Sequence, residues 1–341
     1  MRTIDVNRRL LSLFAAGVLG ACMLEARPAA ADEPPGAVAP EATAVASSAP
    51  QATAAPAPPA PPYSLPWQLR PIAATTVVRS DSSVALYDNG AGQDGNSIVT
   101  MLAGSYQVAP HLAPLVKLAF VQNDAPGTSP SGSSFVNPIV GVTYARRVEA
   151  FRWAVFAGAA IPVGQGSGDN ADKGVAGANA AAIRARSGMD NSMFAVNYFT
   201  PILGADAAYV DRKLTVQVEA TLFELLRVHG DDAGAASTDA ARTNATMGLH
   251  AGYFVIPALS FGAELRYQRY LTTPTQLVMG AKVGYTDGMK DTTTVAIGPR
   301  AHFALGRGMF VRPGISYARA LDQPLSSQSY NMLQVDVPVV F

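Results

Sequence analysis

Seven ionisable residues in the C-terminal half of the chain fall on the polar side of alternating stretches: Glu219, Glu264, Arg266, Arg300, His302, Arg312 and Asp336. Lys117 holds the same kind of position earlier. Side chains of these types suit two jobs. Arranged around a water-filled constriction, they select solutes by charge and hydrogen bonding, as rings of charged side chains do in pores. Paired with one another, they fill a narrow interior that conducts nothing. The residue types leave both readings open, and they are taken here as candidate pore-lining groups.

Catalysis has thinner support. The four histidines are His111, His229, His250 and His302. None lies in a His-x-Ser pair that would set a nucleophile beside its base. His229 with Asp231 and Asp232 is an acid–imidazole cluster, but it sits in a Gly/Ala-rich loop. Asp169, Asn170 and Asp172 in "SGDNADKG" have a cation-ligand-like spacing. They lack the terminal acidic residue of a Ca²⁺ loop, so a solvated loop is the simpler reading. Zinc spacings, phosphate-binding Gly-rich loops and basic aromatic stretches are all missing from the sequence. The expectation is therefore a non-enzyme without a metal, a cofactor or a nucleic-acid partner.

An inward charge on every second residue needs a strand to hold it. In "KLTVQVEATLF" (213–223), Leu214, Val216, Val218, Ala220 and Leu222 share one face, and Thr215, Gln217, Glu219 and Thr221 the other. "LSFGAELRYQ" (259–268) and "TTVAIGPRAHF" (293–303) repeat the design. Such strands require apolar surroundings on one side and a polar space on the other. Twelve segments of this kind are centred near residues 77, 102, 117, 140, 157, 201, 219, 250, 264, 298, 315 and 336. Tight connections at 109–111, 146–150, 210–213, 255–258 and 305–308 alternate with long polar ones. That rhythm belongs to an up-and-down barrel with two unlike ends. A secreted β-sandwich also alternates. Lone tyrosines near segment ends (Tyr106, Tyr144, Tyr253, Tyr267 and Tyr317) favour an interfacial aromatic girdle instead. The fold expected is all-β: an antiparallel up-and-down transmembrane β-barrel of twelve strands over 65–341.

The bulk properties agree. Charged residues are only 15% of the 341, hydrophobic ones reach 49%, and 25 basic groups balance 25 acidic ones. So apolar a chain is awkward to keep dissolved, yet past residue 24 its apolar residues are diluted by polar or small ones. Arg2, Arg8 and Arg9, an apolar stretch from Leu10 to Leu24 and Ala29-Ala30-Ala31 read as a signal peptide over 1–31. Leu19-Gly20-Ala21-Cys22 is a competing lipobox, with Cys22 acylated. Residues 32–64, rich in Ala and Pro, read as a disordered periplasmic linker. Within the long connection at 164–191, an Ala-rich stretch predicts a short helix, either folded inward or capping the outside.

The stretch "NMLQVDVPVVF" places Leu333, Val335, Val337, Val339 and Phe341 on alternate positions. It resembles the C-terminal signature of bacterial outer-membrane β-barrel proteins. That resemblance implies location in the outer membrane of a Gram-negative bacterium, contact with outer-membrane lipid, and recognition of the last strand by the barrel-assembly machinery. "NPIVGVTYARR" (137–147) followed by "FAGAAIPVGQGSGD" (156–169) is similar to a hairpin of channels for aromatic or hydrophobic compounds, of the phenol-degradation type. Together these imply a passive porin-like channel for a small-molecule solute. The alternatives are a non-conducting structural or surface-interaction barrel and, third, an outer-membrane hydrolase.

Overall fold

A strand with one oily and one polar face leaves no unpaired edge only when its sheet closes on itself. The computed structural model describes residues 63–89, 91–230, 239–273, 291–306, 308–322 and 325–341. The leader at 1–31 and nearly all of the linker at 32–64 lie outside these, as do Asp231, Asp232 and most of the 272–291 connection.

The chain runs through β1 (Val77–Asp88), β2 (Asp94–Ser105), β3 (Leu112–Asp124), a short β4 (Gly132–Phe135), β5 (Ile139–Val148) and β6 (Phe151–Ala160). Two helices follow, α1 (Lys173–Ala185) and α2 (Asn191–Phe194). Next come β7 (Tyr198–Asp211), β8 (Leu214–Arg227), β9 (Ala241–Ile256), β10 (Leu259–Tyr270) and β11 (Asp291–Ala301). β12 (Phe303–Gly306), β13 (Met309–Val311), β14 (Gly314–Ala320) and β15 (Asn331–Val340) complete the order. Twelve of these form a continuous antiparallel wall, β1-β2-β3-β5-β6-β7-β8-β9-β10-β11-β14-β15. β15 then pairs with β1, Val84 opposite Leu333 and Val77 opposite Val340, which closes the barrel. β4 is attached to β3, and the β12–β13 hairpin runs on beside the end of β15.

The expected twelve-stranded barrel is present, and the two-residue period decides which way each side chain points. In β8, Thr215, Gln217, Glu219 and Thr221 are buried while Val218 and Leu222 are exposed. In β15, Met332, Gln334, Asp336 and Pro338 face in; Leu333 faces out, with Val335, Val337 and Val339 alternating along the same side. Tyr106, Tyr253 and Tyr317 are exposed, as are Phe151, Trp153 and Tyr209. An apolar outer surface with aromatic flanks and a polar interior is the layout of an outer-membrane barrel. Among the described residues no helix is long and apolar enough to cross a bilayer.

The wall does not begin where the periodic sequence was expected to begin. Residues 63–76 precede β1 and lie inside the lumen; the first wall strand starts at Val77. Tyr63 and Ser64, grouped with the linker by composition, are already buried there.

Candidate functional site

The lumen is occupied from two directions. The first occupant is the stretch 63–76, an irregular backbone that brings unpaired N–H and C=O groups into a polar interior. Each such group needs a partner, and wall strands supply them. Glu264 accepts the N–H groups of Trp67 and Gln68, the second at 3.2 Å. Glu219 accepts Arg70 N–H at 2.5 Å, and Gln217 Nε2 donates to Arg70 O at 2.7 Å. Arg300 donates to Leu65 O and Pro66 O at 3.1 and 3.3 Å. Thr215 Oγ1 accepts Ser64 N–H at 3.0 Å. Room for this segment comes from wall glycines. A Cβ built on Gly248 would lie 2.7 Å from Leu69, and one on Gly252 would lie 2.2 Å from Ser64 Oγ.

The second occupant is the connection carrying α1 and α2, which enters from the opposite end. Asp172 caps α1 by accepting N–H bonds from Gly174 and Val175 at 2.9 and 3.0 Å, as an N-cap carboxylate should. Ala178, Ala181, Ala182 and Ala185 form its buried face. The segment following α1 places Arg186 between Asp81 (2.8 Å) and Asp190 (2.9 Å), with Lys117 3.2 Å from the other Asp190 oxygen. Of the two arrangements open at sequence level, the inward fold is the one observed. Burial would push the Asp190 carboxyl up, but Lys117 and Arg186 outweigh it and hold it well below the usual carboxylate range. Burial likewise works against the Arg70 charge, and Glu219 with Asp206 overcomes it.

The two occupants touch the same wall residues. Arg266 is 2.7 Å from Glu264, which holds the N-terminal segment, and 3.2 Å from Ser187 beside α1. Gln334 donates to Trp67 O at 3.3 Å and to Asp81 at 2.9 Å, and Asp81 in turn receives Arg186. Between them a void of about 30 Å³ remains, lined in part by Gln68, Arg70, Lys117, Asp190 and Glu219. That is room for water and little else.

Of the residues singled out from sequence, Glu219, Glu264, Arg266, Arg300 and Asp336 are buried on the lumen face, each engaged in the network above or in a pair with Arg300. Lys117 belongs to the Asp190 cluster. His302 stands apart at the end of β11, where its Nε2 lies 2.8 Å from Ser260 Oγ. Arg312 lies at one mouth, where its carbonyl accepts from Arg300 Nη1 at 2.6 Å and its own Nη1 makes a long 3.5 Å contact to Tyr63 O. Periodicity missed Arg70, Arg79, Asp81, Arg186, Asp190 and Asp206, the groups supplied by or facing the inserted segments. The available signals were Trp67 with Tyr63 and Leu69 close by in the sequence, and glycines at lumen-facing positions in mid-strand.

One arrangement has the order nucleophile, base, acid: Ser64 Oγ lies 3.4 Å from His250 Nε2, and His250 Nδ1 lies 3.6 Å from Glu264. All three are closed off from solvent, and Glu264 is committed to Arg266 and the Trp67 backbone. Ser64 rides on the inserted segment, so any movement that admitted a substrate would dismantle the set. Among the described residues no His/Cys/Asp/Glu group could hold a metal ion.

No protein-family model matches the chain, and no curated protein matches it in sequence. Solved structures do match in shape. An outer-membrane channel from Pseudomonas putida F1 superposes with a TM-score of 0.50 at 14% identity, over 81% of this chain and 98% of its own. The KdgM porin matches at 0.41 and 11%, over 77% and 99%. The NanC porin matches at 0.41 and 9%, over 78% and 98%. The fold assignment rests on the first of these together with the closed wall, and it is that of an outer-membrane β-barrel.

Proposed function

We propose that the chain is a gated outer-membrane channel for small polar solutes, shut in the described conformation by residues 63–76 seated against the inward-folded α1–α2 connection. The observation that carries this is the division of labour in the lumen. The wall is a complete barrel without the inserted stretch, and twelve strands give an interior wider than the self-filled eight-stranded case. What completes the closure beside the α1–α2 connection is a separate segment held by side-chain contacts to backbone, not by ladder pairing. Glu219, Glu264, Arg266, Arg300 and Asp336 serve twice in this reading. They clasp the stopper when it is seated, and they line a charged passage once it leaves.

The wild type in planar bilayers should then show rare openings, and the Glu219→Gln/Glu264→Gln double variant frequent ohmic steps. Silence of both across many insertions would favour a second reading, a non-conducting barrel. The small residual void and the pairing of most lumen charges speak for that alternative. The outward stripe Leu333, Val335, Val337, Val339 and Phe341 remains, as a proposal, the surface met by the assembly machinery.

A further inference from the structure

Tyr63, where the described chain enters the lumen, is gripped by two arginines from well-separated wall segments. The Arg152 guanidinium lies over the Tyr63 ring, 4.8 Å from its centre. Arg312, between β13 and β14, reaches the Tyr63 carbonyl at 3.5 Å. Arg152 sits on β6 between the exposed Phe151 and Trp153, so its side chain points into the lumen and not toward lipid.

These two cations differ from the lumen arginines that hold the inserted segments. Arg70, Arg79, Arg186, Arg266 and Arg300 each meet a carboxylate within 4 Å. Arg152 and Arg312 meet none among the described residues. Like charges lie near both, Arg147 beside Arg152 and Arg300 with Arg152 near Arg312, while the Tyr63 phenol acts on each in the opposite sense. Arg147 is also the cross-strand neighbour of Arg152. In both arginines Nε is buried without a hydrogen-bond partner. A buried guanidinium N–H that donates to nothing is costly, and clustered like charges add to the cost. Buried charges in folded proteins are normally paired. What such a pair lacks is an anion with oxygens able to accept from a guanidinium fork.

We infer that Arg152 and Arg312 form an oxyanion-binding site at the mouth beside Tyr63, one that takes a small phosphate or carboxylate from solution and fastens the inserted segment in place. A bound oxyanion would accept from both Nε groups, relieve the repulsion between the guanidinium ions, and bridge β6 to the β13–β14 connection across Tyr63. The proposal deepens the gated-channel reading, because the ligand then acts on the stopper. The binding itself requires no conductance.

The test is equilibrium dialysis of the purified barrel in detergent against labelled inorganic phosphate, at constant ionic strength set by chloride. One phosphate per barrel is expected. Arg152→Gln and Arg312→Gln should each weaken binding at least about tenfold. Lys213→Gln, which removes an exposed cation from a turn, should leave it unchanged. Arg152→Lys keeps the charge without the fork and should bind with intermediate affinity, which covers the case of a Gln variant that fails to fold. Absence of saturable phosphate binding, or equal losses in Lys213→Gln, overturns the site. A bilayer arm keeps the two readings apart. Phosphate should lower the opening frequency of the wild type and not that of Arg312→Gln. A barrel that binds phosphate but never conducts defeats the channel and leaves the site standing.

Discussion

Leu69 lies against Gly248 so closely that a β-carbon there would come within 2.7 Å of three of its side-chain carbons. Leu69 is fully buried and belongs to the inserted stretch, whereas Gly248 is part of wall strand β9. Gly248→Val would therefore evict Leu69 without touching any hydrogen bond that holds the wall. Open-state conductance should rise well above that of the wild type in planar bilayers, with the folded band on unheated gels retained. A variant as quiet as the wild type would mean the segment does not control passage.

Glu264 joins the stopper to the wall, since it meets two backbone N–H groups of the segment together with Arg266 and His250 of the strands. Glu264→Gln leaves Arg266 buried without its counter-ion. Removing one partner of a buried pair costs about 3–5 kcal/mol. Thermal unfolding in detergent should shift down accordingly. The companion change Arg266→Met, made in the Glu264→Gln background, should recover part of the loss.

Acid should release the α1–α2 segment only far below neutrality. Asp190 is held below its usual range by Lys117 and Arg186 after burial is overcome. Its stabilising contribution is thus complete above the ordinary carboxylate pKa of about 4, and it fades as pH falls through the depressed value. Limited proteolysis after Arg184 and Arg186 is the readout, with an acid-active protease at the low end. Wild-type protein should resist cutting from pH 7 to about 4. Asp190→Asn should be cut already at neutral pH, with little further change over that range.

Leu222 is exposed near the middle of β8. If that surface meets hydrocarbon, Leu222→Arg should cost about 2–4 kcal/mol in lipid refolding, the penalty for a cation near the bilayer midplane. Thr221→Arg, one residue away, points into the lumen and should instead disturb Arg70, whose Nη1 bonds Thr221 at 2.6 Å. Similar refolding losses for both, with no change at the stopper, would contradict the two-faced strand.

The wall was legible because its physics is local. Val218 and Glu219 face opposite solvents whatever happens elsewhere, and the period of two records that directly. The contents of the lumen were not legible. "YSLPWQLRPIAATT" has no period, and, Arg79 aside, its wall partners lie well over a hundred positions away: Glu264 for Trp67, Gln217 for Tyr63. Glu264, Arg266 and Arg300 were found as inward charges because they sit in regular strands. Asp81 and Arg79 escaped notice in a serine-rich stretch, and Arg186 and Asp190 lay in a connection whose inward fold depends on contacts with Asp81 and Lys117. Gly248 and Gly252 carried the remaining hint, since small residues on a lumen face imply that something presses against them.

The seam between the first and last wall strands has a bearing on how the molecule is made. Arg79 on β1 bonds Asp336 on β15 at 2.6 Å and also grips the Trp67 carbonyl, while Gln334 on β15 reaches both Asp81 and that same carbonyl. The Trp67 carbonyl thus acts as a rivet through both leaves of the join. Seating the cork therefore reinforces a join that the β1–β15 ladder already makes, so a chain with its cork cut away should still seal into a tube, but one whose seam parts more readily on heating.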